Sequence, residues 1–207
     1  MSARFFEIAF TPAVEQQQER NGSRANYARS ASSHAPGDPV GDRLGSDEVA
    51  FVRERDSFYI ASVSETGWPY LQHRGGPKGF LKVLDAGTLG FADYRGNRQY
   101  VSAGNLAGND RVALILVDYA NRSRLKVLGR ARRINLADDS DLTRSLHDRG
   151  YGARAEAGVV IRVEAFDWNC PQHITPRYSE AELAPLIEPM QARIRELEEQ
   201  LRFAADV

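Results

Sequence analysis

Residues 67–80 read Gly67-Trp-Pro-Tyr-Leu-Gln-His-Arg-Gly-Gly-Pro-Lys-Gly-Phe80, and this stretch decides the fold of the 207-residue chain. It begins as a strand that carries Gln72, His73 and Arg74 side by side, and it then breaks into Gly75-Gly76-Pro77. Glycines and a proline in place of a continuing strand indicate a bent backbone or a close approach by another group. Polar side chains followed by glycines, whose backbone groups are accessible, suit a flat, polar ligand with an anionic tail. A bulge or a barrel corner explains the same glycines equally well.

Alternating and apolar runs around this stretch predict strands joined by hairpins. Ser57–Ser64 turns through Glu65-Thr66-Gly67 into Trp68–Arg74. Arg111–Tyr119 is nearly continuous in apolar residues, so we expect both of its faces to be buried, and Gly129 marks a bulge in a later strand. Strands are further predicted over Phe80–Leu84, Thr88–Ala92, Arg124–Ile134 and Gly158–Phe166. At least six strands with hairpin connections imply a closed or nearly closed antiparallel barrel, because closure removes exposed edges.

Helices are predicted before and between these strands. Thr11-Pro12 opens a helix that ends near Arg20, and Ser46-Asp47 caps one that runs to about Arg55. Between them, residues 22–45 show no period, which predicts an irregular segment that is either a cover over the ligand or a plain linker. Two shorter helices are predicted from about Arg98 to Leu106 and from about Ala137 to His147.

The chain ends in a predicted long helix, which Ser179-Glu180-Ala181-Glu182 opens as a capping box. Pro185 and Pro189 are expected to confine its regular part to the residues beyond them. Packing on the barrel or on a partner subunit explains its apolar residues equally well. These residues recur at steps of three and four, as in a coiled-coil seam of about two heptads: Ile187, Met190, Ile194, Leu197 and Leu201.

Composition predicts a cytoplasmic globular protein. The order of the predicted elements divides it into an N-terminal segment 1–45, a barrel domain 46–178 and a C-terminal helix 179–207. The formal net charge of −1 gives no electrostatic reason to bind nucleic acid or an anionic membrane. No apolar run approaches the roughly 20 residues that cross a bilayer. The single cysteine, Cys170, excludes an internal disulfide and is expected to be a buried apolar residue. No metal site is expected, because His34, His73, His147 and His173 lack a metal-binding spacing.

The order of several short motifs resembles the pyridoxamine 5′-phosphate oxidase-like, FMN-binding split-barrel family. Three longer motifs resemble an uncharacterised bacterial subgroup of that family more specifically. They are Gln-His-Arg-Gly-Gly-Pro, Gly-Asn-Arg-Gln-Tyr and Trp-Asn-Cys-Pro-Gln-His. The resemblance implies a mainly β fold with flanking helices, a split antiparallel barrel, and a homodimer that holds FMN at the subunit interface. The motifs are Gly67-x-Pro-Tyr70, Phe91-Ala-Asp93, Gly96-Asn-Arg98, Asn105-Leu-x-x-Asn109 and Arg124-Leu-x-Val-x-Gly129-x-Ala131.

By position, the resemblance also implies which residues contact FMN. The strand residues Gln72, His73, Arg74 and Gly75 run along the flavin ring. The other implied contacts are Ala92 and Asp93, then Asn97, Arg98 and Ser102 near the phosphate, and finally Arg124 and Trp168 near the ring.

Chemistry supports some of these roles and leaves alternatives for others. Asn97 and Arg98 at a helix start would offer free N–H groups and a charge-assisted bond to phosphate, although Arg98 also suits a surface ion pair. His73 points away from Gln72 and Arg74 and is expected to be a hydrogen-bonded core or interface residue. Trp168 packs over the flavin or plugs the barrel end. In the N-terminal segment, Ser23 and Arg24 are further candidates for the phosphate.

The resemblance therefore implies an FMN-dependent oxidoreductase that acts on a small molecule, with no catalytic residue identified. Leu146-His-Asp-Arg149 resembles a substrate signature of authentic pyridoxamine 5′-phosphate oxidases, but it precedes the last strand instead of following it. Oxidation of pyridoxamine phosphate is therefore not expected. The absence of a Gly-x-Gly-x-x-Gly fingerprint means that a nicotinamide donor would bind only transiently. The alternatives are a non-catalytic flavin-binding or redox-sensing protein, and the same barrel holding haem or a deazaflavin.

Overall fold

The computed structural model describes residues 2–32, 41–137, 141–168 and 170–205, so His34 and Asn169 lie outside the described residues. Within these ranges the chain forms seven helices and seven strands. The helices are α1 (Ala3–Ala9), α2 (Pro12–Arg20), α3 (Arg24–Ser32), α4 (Ser46–Arg53), α5 (Val101–Gly108), α6 (Asp141–Leu146) and α7 (Glu180–Ala205). The strands are β1 (Ser57–Val63), β2 (Pro69–Gly75), β3 (Lys82–Asp85), β4 (Thr88–Tyr94), β5 (Arg111–Asp118), β6 (Ser123–Ile134) and β7 (Ala155–Trp168).

The strands form one sheet in the order β2-β1-β5-β6-β7-β4-β3, and all neighbours in it are antiparallel. The edge strands β2 and β3 are not paired with each other, so the barrel is split, and the predicted fold class is confirmed. Three phenylalanine rings fill its interior. Phe58 stacks on Phe80 at a centroid distance of 5.5 Å and meets Phe91 edge-on at 5.3 Å.

Gly76 directly follows β2 and lets the chain leave the sheet. A Cβ atom at this position would lie 2.7 Å from Cγ of Phe80, so only glycine allows the backbone to pass this close to the buried ring. The N–H group of Gly76 donates to the carbonyl of Asp56 at 2.9 Å. Gly76 therefore serves a close approach between backbone and core.

Two expectations for the inner strands have different outcomes. The register between β6 and β7 shifts at Leu128 and Gly129, which confirms the predicted bulge. In β5, the residues Val112, Leu114 and Leu116 are buried, but the alternate positions are only partly buried. The prediction that both faces of β5 are buried is therefore wrong, because this antiparallel strand turns only one face to the core.

The N-terminal segment is more regular than predicted. Residues 24–32 form α3, so the expectation of an irregular stretch over 22–45 is wrong for them, and residues 33–40 lie outside the described ranges. Tyr27 of α3 meets Phe10 edge-on at 5.3 Å, and Arg24 pairs with Glu15 of α2 at 2.6 Å. These contacts with earlier residues, which no local period reveals, hold α3 in place.

The caps of α4 and α7 also refine the sequence predictions. Gly45 is the N-cap of α4, in place of Ser46-Asp47, and its N–H group donates to the carboxylate of Glu48 at 2.9 Å. The capping box of α7 is confirmed, because the N–H group of Ser179 donates to Glu182 at 2.7 Å. No helix in the described ranges is long and apolar enough to cross a membrane.

The prolines near the start of α7 do not limit the helix. It continues through both Pro185 and Pro189, so the expectation that its regular part begins beyond them is wrong. Each proline removes one backbone hydrogen bond, and the remaining bonds carry the helix past it.

Candidate functional site

A cavity of about 200 Å³ lies where the barrel is split. One side of it comes from the edge strand β2, whose alternate residues Tyr70, Gln72 and Arg74 face the cavity. The opposite side comes from Asp93 and Tyr94 at the end of β4, which is not a neighbour of β2 in the sheet. Residues 96–103 and Glu156 complete the lining.

An ion pair spans the split beside this cavity. Arg74 Nη1 of β2 lies 2.5 Å from Asp93 Oδ1 of β4, and both side chains are largely buried. Arg133 of β6 also approaches Asp93, at 3.5 Å. Arg74 Nε is buried and has no hydrogen-bond partner among the described residues. Nη1 of Arg74 therefore holds Asp93, while the buried Nε–H group is left without a protein partner in the described ranges.

The loop after β4 corrects the predicted start of α5. The helix begins at Val101 instead of Arg98, with Tyr100 as its N-cap. Arg98 has a φ of 60° and Tyr100 a φ of 54°, which are left-handed conformations that a right-handed helix does not contain. The free N–H groups of the first helical turn therefore belong to residues 101–103. Ser102 and Ala103 line the cavity, so the positive end of the helix still faces it.

Arg98 lies at the open side of the cavity in a chain of hydrogen bonds. Its Nε donates to the hydroxyl of Tyr100 at 3.2 Å, and that hydroxyl donates to Glu156 at 3.2 Å. The bond to Tyr100 raises the pKa of Arg98 further above its usual value, so the guanidinium stays charged. The cavity lining carries the guanidiniums of Arg74 and Arg98 and the carboxylates of Asp93 and Glu156. From beside the cavity, Arg95 pairs with Glu156 and Arg133 pairs with Asp93.

The structure brings two more predicted residues together. The hydroxyl of Ser102 donates to Oε1 of Gln72 at 2.6 Å, which joins α5 to β2 across the cavity. Asn105, one turn later in α5, donates from its side chain to the hydroxyl of Ser62 at 3.0 Å. These bonds fix the helix against the barrel, and they set the position of its first turn.

Tyr94 is a cavity residue that sequence reasoning missed. Its hydroxyl donates to Asp148 Oδ2 at 2.6 Å, and Lys82 pairs with the other oxygen of that carboxylate. Burial and the hydrogen bond to Asp148 raise the pKa of Tyr94, so the phenol stays protonated at neutral pH. Asp148 belongs to the Leu146-His-Asp-Arg149 motif, which therefore positions a cavity wall in this chain. That motif was the one available signal for this contact.

Several predicted ligands lie away from the cavity lining. His73 is exposed on the opposite face of β2 and packs against Tyr59, so it is not a core residue, and the alternative that it lies at an interface stays a prediction. Gly75 is exposed at the end of β2, and the side chain of Ala92 is buried in the barrel. Trp168 packs edge-on against Phe51, and its indole N–H donates to Glu48 at 2.5 Å. Their contacts with FMN stay predictions.

Arg124 lines a different cavity of about 400 Å³ on the outer face of the sheet. Tyr59, Leu71 and Ile115 form its apolar floor, and Arg177 stacks on Tyr119 at its margin. Arg124 Nε is buried without a hydrogen-bond partner in the part of the chain that the structure describes. Arg124 is therefore separated from Gln72 and Arg74 by the sheet itself.

Two other expectations are corrected. Ser23 and Arg24 do not line the cavity, because Arg24 is part of α3 and its guanidinium is engaged with Glu15. Cys170 is exposed instead of buried, since it follows the end of β7 in an irregular segment.

Comparison with known proteins identifies the family. The family model described as pyridoxamine 5′-phosphate oxidase matches residues 46–169, and the chain belongs to this family. No curated protein is significantly similar to the chain in sequence.

Several solved structures are similar to parts of the chain. HupZ of Group A Streptococcus is 13% identical with a TM-score of 0.46, over 65% of this chain and 100% of that one. A Clostridium acetobutylicum protein related to general stress protein 26 of B. subtilis is 14% identical with a TM-score of 0.40, over 62% and 88%. An FMN-binding protein from Syntrophomonas wolfei is 10% identical with a TM-score of 0.44, over 59% and 86%.

Replacing Arg74 with Met tests the ion pair that spans the split. The variant keeps a long apolar stem but leaves the largely buried Asp93 with only the more distant Arg133. We expect the free energy of unfolding to fall by about 1–3 kcal/mol, as measured by urea denaturation. The matched control is Lys78→Met, which removes an exposed pair with Glu54 and should cost less than about 0.5 kcal/mol. Equal losses in the two variants would contradict a bridging role for Arg74.

Proposed function

We propose that this protein binds FMN at the split of the barrel and acts as an oxidoreductase on a small molecule. The observation that carries the proposal is a polar cavity with an unused buried donor, Arg74 Nε, beside a charged Arg98 and a helix start. These groups fit a flavin nucleotide, because its ring edge accepts hydrogen bonds and its phosphate needs cationic donors. Family membership supports the same ligand class.

The groups best suited to bind the phosphate of FMN are Arg98, Asn97 and the first turn of α5. Arg98 carries a full charge at the open side of the cavity, and the N–H groups at residues 101–103 add a partial positive charge. Ser102 offers a hydroxyl that now donates to Gln72 and is free to turn toward a ligand oxygen. Four guanidiniums against two carboxylates give this region a positive balance, which favours a dianionic phosphate.

The size of the cavity supports a site shared between two chains. Its volume of about 200 Å³ is below the roughly 300–1,000 Å³ of pockets that enclose a whole drug-sized ligand. The outer face of the sheet presents the exposed Leu71 and Tyr59 beside Arg124, and it suits contact with a second copy. A homodimer would bring Arg124 of one chain to the flavin held by the other. This arrangement reconciles the family-implied role of Arg124 with its separate cavity.

The oxidoreductase role follows from what FMN supplies when it is bound, which is the transfer of one or two electrons. The chain itself contributes binding and orientation: Arg74 and Gln72 hold the polar edge, and protonated Tyr94 offers a neutral wall. Cytoplasmic localisation belongs to the same proposal, because a protein with a single, exposed cysteine needs no oxidising compartment. Pyridoxamine phosphate is not the proposed substrate, since the motif that would recognise it holds Tyr94 instead.

The first prediction concerns FMN and its phosphate. The protein should bind FMN stoichiometrically in calorimetry, and Arg98→Ala should raise the Kd for FMN roughly ten- to a hundred-fold. Riboflavin, which lacks the phosphate, should bind the variant and the wild type equally. Arg144→Ala is the control, because it removes an exposed arginine outside the cavity. No FMN uptake by the folded protein would refute the proposal, and equal losses for both ligands would remove Arg98 from the phosphate site.

The second prediction tests whether two chains share one site. Chains carrying Arg98→Ala or Arg124→Ala should each bind FMN weakly as homodimers. A hybrid dimer, purified through two different tags, should contain one intact site and one doubly impaired site. Calorimetry should therefore find one high-affinity FMN per hybrid dimer. If both arginines served the same chain's site, every site of the hybrid would be impaired and no high-affinity binding would return.

The third prediction tests catalysis. The FMN-loaded protein should oxidise NADH or NADPH in the presence of a quinone or dye acceptor, measured by the loss of absorbance at the nicotinamide band. The Arg98→Ala variant should lose this activity when the FMN concentration is below the variant's Kd for FMN. Excess FMN should restore the activity. Stoichiometric FMN without turnover would instead identify a non-catalytic flavin-binding protein. A haem or deazaflavin spectrum of the purified protein would replace FMN as the ligand.

A further inference from the structure

The long helix α7 carries an apolar seam that nothing in the described chain covers. Its 26 residues span about 39 Å at 1.5 Å per residue. The hydrogen bonds and ion pairs found for residues 187–204 all lie within the helix. The seam is exposed at every position: Ile187 by 41%, Met190 by 65%, Ile194 by 54%, Leu197 by 41% and Leu201 by 70%.

The seam follows the heptad rule of a two-stranded coiled coil. With Ile187, Ile194 and Leu201 at a positions, Met190 and Leu197 occupy d positions. Pro185 and Pro189 then fall at f and c, on the outer side of the helix, so neither would interrupt a paired seam. The two prolines that perturb the helix backbone are thus compatible with a partner helix on the seam.

The charges beside the seam favour one orientation of a second α7. Arg193 is at a g position and Glu198 is at the following e position. In a parallel pair, a g residue faces the e residue five positions later in the partner, so Arg193 meets Glu198 twice, once on each side of the twofold axis.

An antiparallel pair lacks these contacts, because it places g beside g and e beside e. Arg193 would then face Leu186, Gln200 or a second Arg193. Glu198 would face Gln191 or a second Glu198. No opposite charges meet in that arrangement, so the charge pattern selects the parallel pair.

We infer that α7 pairs in parallel with α7 of a second copy of this chain. This interface is separate from the flavin site, and it does not depend on FMN. Fewer than three heptads form only a weak coiled coil by themselves. Association of the barrels would hold the two helices at a high effective concentration, so that their pairing adds to the stability of the dimer. Arg193 now pairs with the exposed Glu196 at 2.6 Å in its own helix, and exchanging that partner for Glu198 of a second copy costs little.

Charge reversal tests the orientation. Arg193→Glu and Glu198→Arg each convert two attractive contacts into two repulsive ones, so each should raise the dimer dissociation constant about five- to thirty-fold at low salt. Mixing the two variants in equal amounts should restore wild-type association, because every contact in the mixed dimer is again attractive. Sedimentation equilibrium measures the constants. Arg195→Glu is the matched control, since it makes the same charge change at a b position and should have no effect.

A cysteine crosslink provides the second readout. In a Cys170→Ser background, Met190→Cys at a d position should form a disulfide-linked dimer under mild oxidation, because parallel d residues face each other within bonding distance. Ala192→Cys, at an f position, should not crosslink. Unchanged dissociation constants together with absent or equal crosslinking would overturn the inference. At protein concentrations well above the dimer dissociation constants, FMN affinity should be unchanged in all these variants, so failure here is distinguishable from failure of the flavin proposal.

Discussion

The Arg74–Asp93 ion pair joins two strands that share no backbone hydrogen bonds, and the candidate site exists because of that separation. The edge strand β2 ends at Gly75, and at Gly76 the backbone leaves the sheet and passes close to the ring of Phe80. The gap that results needs a different kind of contact. A guanidinium reaches across it and holds one carboxylate, and its Nε is buried without a partner among the described residues. Arg74 thus links β2 to β4 across the split and also lines the candidate site.

Strand alternation divides the remaining polar residues between two surfaces. Even-numbered residues of β2 face the cavity, while Leu71 and His73 face outward with Arg124 and Tyr59. A single chain cannot bring both sets to one ligand, because the sheet lies between them. The proposed dimer resolves this division at the barrel, and the pairing of α7 would add a second, weaker contact at some distance along the chain.

The strands and the bulge at Gly129 could be predicted because period, turn residues and glycine placement are local properties. The gathering of Gln72, Arg74, Asp93, Asn97, Arg98 and Ser102 at one cavity also agrees with the positions that the family resemblance implied. The start of α5 could not be predicted, because the positive φ angles of Arg98 and Tyr100 depend on tertiary contacts such as that with Glu156. Tyr94 was missed for a similar reason, since its partner Asp148 is 54 residues away.

The central position of β7 has a consequence for how the chain is made. This strand lies between β6 and β4, yet it is the last of the seven to be synthesised. Sixty residues, 95–154, separate the end of β4 from the start of β7. At about 5–20 residues per second, β4 emerges from the ribosome several seconds before the strand that covers its edge. The nascent chain therefore carries an unpaired, largely apolar edge during that interval, and it is most open to misassociation or chaperone capture just before translation reaches Trp168.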